Sequence, residues 1–298
     1  IASHPALDAA REGFLAALKD NGFEEGKNLE VDEQNAQGDP NNAASIAQKF
    51  ASDKLDLVLA IATPTAQAAA QNIKDIPVLF TAVSDPLGAK LVESLEKPGG
   101  NLTGTADMHP EALVKNAEFI ASDFPNVKKI GTISNQGEDN SVIMVRKAEE
   151  EFAKHNIELV KVAVSNTSEV KQAAESLVGK IDAFYITLDN TVVDALESVV
   201  QVAEENKIPL FVSDKDSLSK GAFATYGFDY YDLGYDTGKM AVEILKNGAN
   251  PADMPVRYAE KLDLVLNMEA AKKQGIEVTE EMKAKVQDKK NILNDSES

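Results

Sequence analysis

Short apolar runs alternate with amphipathic stretches along most of this chain, the pattern of buried parallel strands joined by helices. The stretch from Asp56 to Pro86, DLVLAIATPTAQAAAQNIKDIPVLFTAVSDP, shows it most clearly. Leu57 to Ala62 is a continuous apolar run followed by Thr63-Pro64-Thr65, which predicts a strand covered on both faces and feeding a helix. Proline in the first turn of a helix gives up only an N–H that has no intrahelical partner, so a hydroxyl residue followed by Pro opens a helix well. A second apolar run, Pro77 to Val83, ends at Ser84-Asp85-Pro86. The two polar turns are expected side by side at the carboxyl edge of one parallel sheet, where open α/β sheets bind ligands.

The same figure recurs from Asp182 to Asp216, IDAFYITLDNTVVDALESVVQVAEENKIPLFVSDKDS. In register, Asp56 falls on Asp182, Thr63 on Asp189, Thr65 on Thr191 and Ile76-Pro77 on Ile208-Pro209. Two similar α/β halves are implied. The difference between them is chemical: one turn offers hydroxyls at a helix start, and its counterpart offers a carboxylate.

The remaining pattern fills in both halves. Asp8 to Asn21 predicts a helix with Phe14, Leu15 and Leu18 on one face and Gly22 as its stop. Asn28 to Asn35 reads as a strand, Pro40 to Phe50 and Leu87 to Leu95 as helices, and Pro98-Gly99-Gly100-Asn101 as a turn. Beyond Asp107 a second region begins. It has a helix from Pro110 to Ser122, a strand from Lys129 to Ile133, and a polar turn into a long helix that carries Asn140 and Ser141 at its start. Further strands are expected at Glu158–Val164 and Gly221–Tyr226, and a helix within Phe228–Asn247 is closed by Gly248. Ile1-Ala2-Ser3-His4 reads as the end of a strand, so residues upstream of Ile1 are expected; no signal peptide is visible.

Composition narrows the function classes. The 298 residues suffice for two domains, each with its own core, and hydrophobic and charged shares of 43% and 27% fit a soluble globular protein. Acidic residues outnumber basic ones 49 to 30, a formal charge of -19, which disfavours nucleic acid or an anionic membrane surface as partner. Cysteine is absent, which excludes thiolate chemistry, disulfides and Cys-ligated zinc. No dinucleotide fingerprint, P-loop, nucleophile elbow or His-Glu-x-x-His motif is present. Neither a catalytic constellation nor a cofactor or metal site is expected; Asp214-Lys215-Asp216 lacks a third convincing ligand.

Several runs carry a resemblance. HPALDAAREGF, GKNLEVDEQNAQGDPNNAASIAQKF, PVLFTAVSDPLGAKLVESLEKPGGNLTG, LDNTVVDALES and GFDYYDLGYDTGKMA are similar to the ABC-importer substrate-binding proteins of the tryptophan-type group. The likeness spans nearly the whole chain. It implies an α/β fold of two doubly wound parallel-sheet lobes joined by three hinge crossovers, the type I periplasmic-binding-protein fold, with the ligand in the cleft. On that template the first lobe is 1–107 plus 224–258 and the second 108–223 plus 259–287, with crossovers near Asp107, Ala224 and Ala259 and a frayed tail at 288–298. The resemblance further implies an aromatic L-amino acid as ligand, tryptophan first, a cognate permease and ATPase as partners, and a monomer. It also implies an extracytoplasmic address, with membrane attachment only through a lipid anchor that this sequence lacks.

A free amino acid brings a carboxylate and an ammonium, each of which needs a partner once water is expelled. Thr63, Thr65 and Ser84 offer hydroxyls beside helix starts whose dipole favours an anion. Asp189 and Asp214 offer charge-assisted acceptors for the ammonium. Asn140, Ser141 and Asn190 stand on turns of the second half as further polar contacts. Each of these residues also fits a plain helix cap. Asp85 ranks below Ser84 because Asp-Pro often makes only a turn. His4 lies on the first turn of the cleft, and Tyr185 lines an apolar pocket or packs in the core. Branched-chain amino acids or small peptides are the alternative ligands. An α/β enzyme, or the sensor half of a transcriptional regulator, is the alternative class.

Overall fold

The computed structural model describes residues 5–259 and 261–294. In chain order the first elements are α1 (Pro5–Asp20), α2 (Pro40–Ser52), β1 (Val58–Ile61), α3 (Thr63–Asn72), β2 (Val78–Val83) and β3 (Leu102–Ala106). There follow α4 (Ala112–Asp123), β4 (Lys129–Asn135), α5 (Asp139–Lys154), β5 (Glu158–Val164), α6 (Val170–Leu177), β6 (Ala183–Ile186), α7 (Asn190–Asp194), α8 (Leu196–Asn206), β7 (Leu210–Val212) and β8 (Ala224–Gly227). The last are α9 (Tyr230–Asn247), β9 (Arg257–Tyr258), β10 (Asp263–Asn267), α10 (Met268–Lys273), α11 (Glu280–Ala284) and β11 (Ile292–Leu293). They form two compact units: Ile1–Met108 with Asp229–Glu260, and His109–Phe228 with Lys261–Ser298.

The first unit is built on a parallel sheet ordered β1-β2-β3-β9. Every residue of β2 is buried, because helices cover both faces. Val78 and Phe80 turn to a cluster with Ala66 and Ile73, whereas Leu79 turns to Phe14, Leu18, Met240 and Ile244. Each such side chain contributes about 1.5–3 kcal/mol on burial. On the second face α1 and α9 meet backbone to backbone. A Cβ built on Gly234 falls 1.8 Å from the Ala10 carbonyl oxygen, so only glycine permits this crossing.

The second unit carries a sheet ordered β11-β10-β8-β7-β6-β4-β5, parallel except where β10 runs antiparallel to β8. Alternate residues of β6 feed opposite cores. Phe184 and Ile186 join one with α6 and α8; Ala183 and Tyr185 join the other with α4 and α5. This is the doubly wound arrangement.

Four expectations are corrected. β8 pairs with β7 and β10, so 224–228 belongs to the second unit, and the chain passes back to the first before Asp229. The tail is not wholly frayed, since Ile292 and Leu293 pair with Leu266 and Asn267. Asn28–Asn35 makes no ladder beyond the bridge of Leu29 to Glu25. Ion pairs of Glu33 with Arg11 and of Asp32 with Lys49 hold it instead. A cavity of about 560 Å³, lined by Phe14, Leu18, Leu29, Val31, Leu57 and Leu59 among others, lies in this part of the first unit. Finally, Leu87–Leu95 forms turns rather than a helix, because Lys90 takes φ 59°.

Candidate ligand-binding site

In the first unit the chain leaves β1 through Ala62, whose φ of 79° and ψ of 154° lie where a residue with a Cβ is strained, at a cost of about 1–3 kcal/mol. α3 then begins with Pro64 in its first turn and with no side-chain cap. The Thr63 hydroxyl is buried there, 2% of the residue being exposed, and finds no hydrogen-bond partner among the described residues. Thr65 turns its hydroxyl back to the carbonyls of Ile61 and Ala62, which commits its proton but not its lone pairs. On the adjacent strand Ala82 takes φ 54°, where the pairing with β3 shifts register between Phe80 and Val83. Ser84 follows, buried. Two strained non-glycine residues on neighbouring strand ends mark this edge as held against local preference. Asp85 closes its own turn by accepting from Gly88 N at 2.9 Å.

In the second unit the ends of β4, β6 and β7, which are neighbours in the sheet, bring together Asn140, Ser141, Asp189, Asn190 and Asp214. Asp189 is fully buried. Its Oδ1 accepts from Val192 N at 2.8 Å, and its Oδ2 from Asn135 N at 2.6 Å and from the Ser141 hydroxyl. Burial, and then the charge of Glu138, push its carboxyl up to about 6. Glu138 gathers still more donors. Oε1 accepts from Thr191 N at 3.1 Å and Thr191 Oγ1 at 2.7 Å; Oε2 accepts from Asn190 Nδ2 at 2.6 Å, Asn190 N at 3.2 Å and Asn140 Nδ2 at 3.3 Å. Asn140 also donates to the Leu188 carbonyl at 2.9 Å, and its own Oδ1 is buried without a partner among the described residues. Asp214 accepts from Ser217 N and Ser217 Oγ, each at 2.8 Å. Burial raises its pKa, against the pull of these bonds and of Lys220.

The structure therefore sorts the expected residues. Thr63, Thr65 and Ser84 share one sheet edge, and Asn140, Ser141, Asp189, Asn190 and Asp214 share the other. Asp189, expected to receive an ammonium, has its carboxylate engaged by three protein donors and caps α7. Tyr185 belongs to the core: it is 1% exposed, packs edge-on to Phe152 at 5.1 Å, and accepts from Ser213 Oγ. Burial pushes its phenol up to about 12. His4 lies outside the described residues.

The sequence profile of the ABC transporter substrate binding protein family matches residues 1–290. The chain belongs to that family. Among the relatives of this family member is a tyrosine-binding protein of Clostridioides difficile, 46% identical over 91% of this chain and 78% of the relative. A conserved domain protein of Vibrio cholerae has a crystal structure that superposes with a TM-score of 0.92 at 42% identity, covering 96% of each chain. An ABC domain from Streptococcus pneumoniae, crystallised with L-Trp, gives 0.91 at 34% identity, again over 96% of each chain. The fold is the type I periplasmic-binding-protein fold, shared with leucine- and sugar-binding proteins at below 25% identity.

Glu138 and the Ala62 and Ala82 backbones of this family member went unread in the sequence. Glu138 sits in a Gly-containing turn one residue before a helix, where a carboxylate reads as a cap. Its bonds to Asn190 and Thr191 run to residues more than 50 positions away. Positive φ at alanine carries no sequence signal at all.

Proposed function

We propose that this chain is the extracytoplasmic substrate-binding component of an ABC importer and that it binds an aromatic L-amino acid, tryptophan first. The observation that carries the reading is Thr63: a buried hydroxyl that finds no partner among the described residues, at the start of a helix whose N-cap residue, Ala62, makes no side-chain cap bond. An unsatisfied buried polar group costs about 1–3 kcal/mol, and a ligand carboxylate is an acceptor that removes this cost while meeting the positive end of α3. Ser84 and the Thr65 turn stand beside it on the same edge. For the ammonium, Asp214 is the better acceptor, because each of its oxygens takes a single donor from Ser217, whereas Asp189 Oδ2 already takes two, from Asn135 and Ser141. Asn140, Ser141 and Asn190 shape the second unit's turn.

The aromatic side chain is supported by the relatives, one named for tyrosine and one crystallised with L-Trp. Tyrosine is the second reading, favoured by the higher identity of that relative. The partners in this reading are a permease and an ATPase, and the chain acts as a monomeric binder rather than an enzyme. Among the described residues no helix is long and apolar enough to cross a membrane, and attachment through a lipid anchor is part of the proposal.

A thermal-shift and calorimetric panel of L-amino acids, their amides and sugars tests it. Ligand at 100 times its Kd should stabilise the fold by about 2.7 kcal/mol. Stabilisation by tryptophan or tyrosine and not by their amides is expected. Stabilisation by sugars, or equally by the amides, would overturn the proposed site.

A further inference from the structure

We propose that the cavity of the first unit is a slot for one β-strand, and that its occupant is the chain leading into α1, Ile1–His4, which lies outside the described residues. The cavity, about 560 Å³, is lined by residues of the first unit alone. Two of its walls are helical: α1 contributes Phe14 and Leu18 to one, and α2 contributes Ile46 and Phe50 to the other. The remaining two are extended backbone, β1 on one side and residues 28–34 on the other. These sides do not pair with each other. Among the described residues β1 pairs only with β2, and 28–35 makes only the bridge of Leu29 to Glu25. Apolar helices on two walls and open strand edges on the other two are the surroundings of a strand inside a covered parallel sheet. A small apolar molecule would cover the helices and leave both rows of backbone groups unanswered.

The slot also presents the donors that such a strand needs. Val58 N and Ala62 N donate to the carbonyls of Pro77 and Thr81, on the β2 side. Successive N–H groups of a strand point to opposite sides, so those of Leu57, Leu59 and Ile61 point away from β2 and into the slot. Arg11 adds another donor. One of its terminal nitrogens reaches Glu33 Oε2 at 2.7 Å, and its Nε is buried without an acceptor among the described residues. The run of α1 selects the chain's own residues as occupant. Arg11, in the first half of α1, meets Glu33, and Asn28 Nδ2 donates to the Gly22 carbonyl just beyond the helix end. α1 is therefore antiparallel to 28–34, and residues running into Pro5 pass along the slot parallel to that segment. Every pair of this unit's sheet is likewise parallel. Ile1 and Ala2 are apolar, as a strand covered on both faces requires. With the slot filled, β1 is an interior strand, and the turn from Ala62 to Thr65 is held from both sides.

Hydrogen exchange read at single amides tests this without any ligand. It compares the full chain with a variant lacking Ile1–His4 and with Ile1→Asp, which sets a charge in the apolar slot. We expect Leu59 and Ile61 to exchange slowly in the full chain and about tenfold or more faster in both variants. The amides of Val58 and Ala60, which face β2, should change less. Equal rates at Leu59 and Ile61 in all three proteins overturn the inference, and so does fast exchange there in the full chain. Protection that appears only as the chain dimerises, followed by sedimentation over a range of concentrations, would give the slot to a second copy and overturn it as well. Should the shortened chain not fold, Ile1→Asp decides by the same rates.

Discussion

The Tyr230 hydroxyl donates to Asp107 Oδ2 at 3.1 Å, joining residues 123 positions apart. Asp107 lies where the chain is about to leave the first unit, and Tyr230 opens α9 just after it returns. Removing the hydroxyl in Tyr230→Phe leaves a buried carboxylate short of one donor. A loss of about 1.5–3 kcal/mol is expected, as for hydrogen bonds to charged groups, read as a lower urea midpoint. A midpoint matching the wild type would show that the bond holds nothing.

Asp189 gives the second unit a pH dependence whose sign follows from its raised pKa. In the folded state its carboxyl titrates at about 6, above an unfolded value near 3.9. Stability from this group is therefore fully present below about pH 4 and is lost as pH rises through about 6. Asp214 is shifted in the same direction by burial. Asp189→Asn should cut the loss of stability between pH 4 and 7, although the variant is less stable overall because one acceptor is gone. Parallel denaturation curves for variant and wild type across that range would contradict the assignment.

Thr63→Val separates binding from stability. Its hydroxyl makes no bond within the described chain, and replacing an unsatisfied buried hydroxyl by a methyl group is neutral or stabilising. The melting temperature should hold or rise while affinity for the amino acid falls about tenfold. A drop in melting temperature with affinity intact would reverse the roles.

Asp214→Ala should cost about 3–5 kcal/mol in binding, as for removal of one partner of a buried ion pair. The same change at Asp189 should act chiefly on stability, since three protein donors lose their acceptor. Calorimetric titration beside thermal melts tells the two apart, and equal binding losses would return Asp189 to the site.

Gly234→Ala introduces a Cβ 1.8 Å from the Ala10 carbonyl oxygen. The helices must separate, at a cost of about 1–3 kcal/mol or more. Gly248→Ala meets no neighbour, and its cost comes only from φ 67°. A Gly234 variant as stable as the wild type would mean that the crossing yields easily.

The repeat from Asp56 and Asp182 made both sheet edges legible, because buried parallel strands write continuous apolar runs and the turn after each is polar. Its limits were of two kinds. Asn28–Asn35 carries a strand-like composition, yet Asp32 and Glu33 are drawn to Lys49 and Arg11, and such partners are invisible to local pattern. At the site, residue type identified Asp189 and Asp214 equally as acceptors. Only the bonds to Asn135, Ser141 and Ser217 distinguish them, and those depend on which strands become neighbours.

The way the first unit is threaded has a consequence for its birth. α1 packs against α9, the Thr103 hydroxyl reaches the Met254 carbonyl at 2.7 Å, and β9 completes the sheet beside β3. All of these wait for the 120 residues from His109 to Phe228 to be made. At ribosomal speeds of 5–20 residues per second the delay is roughly 6–24 s. During that interval Phe14, Leu18 and Leu79 lack the α9 side of their core, while the strands from β4 to β8 emerge as a continuous run. The first unit thus spends that interval with the α9 side of its sheet uncovered, and the second in turn is completed only when β10 and β11 follow.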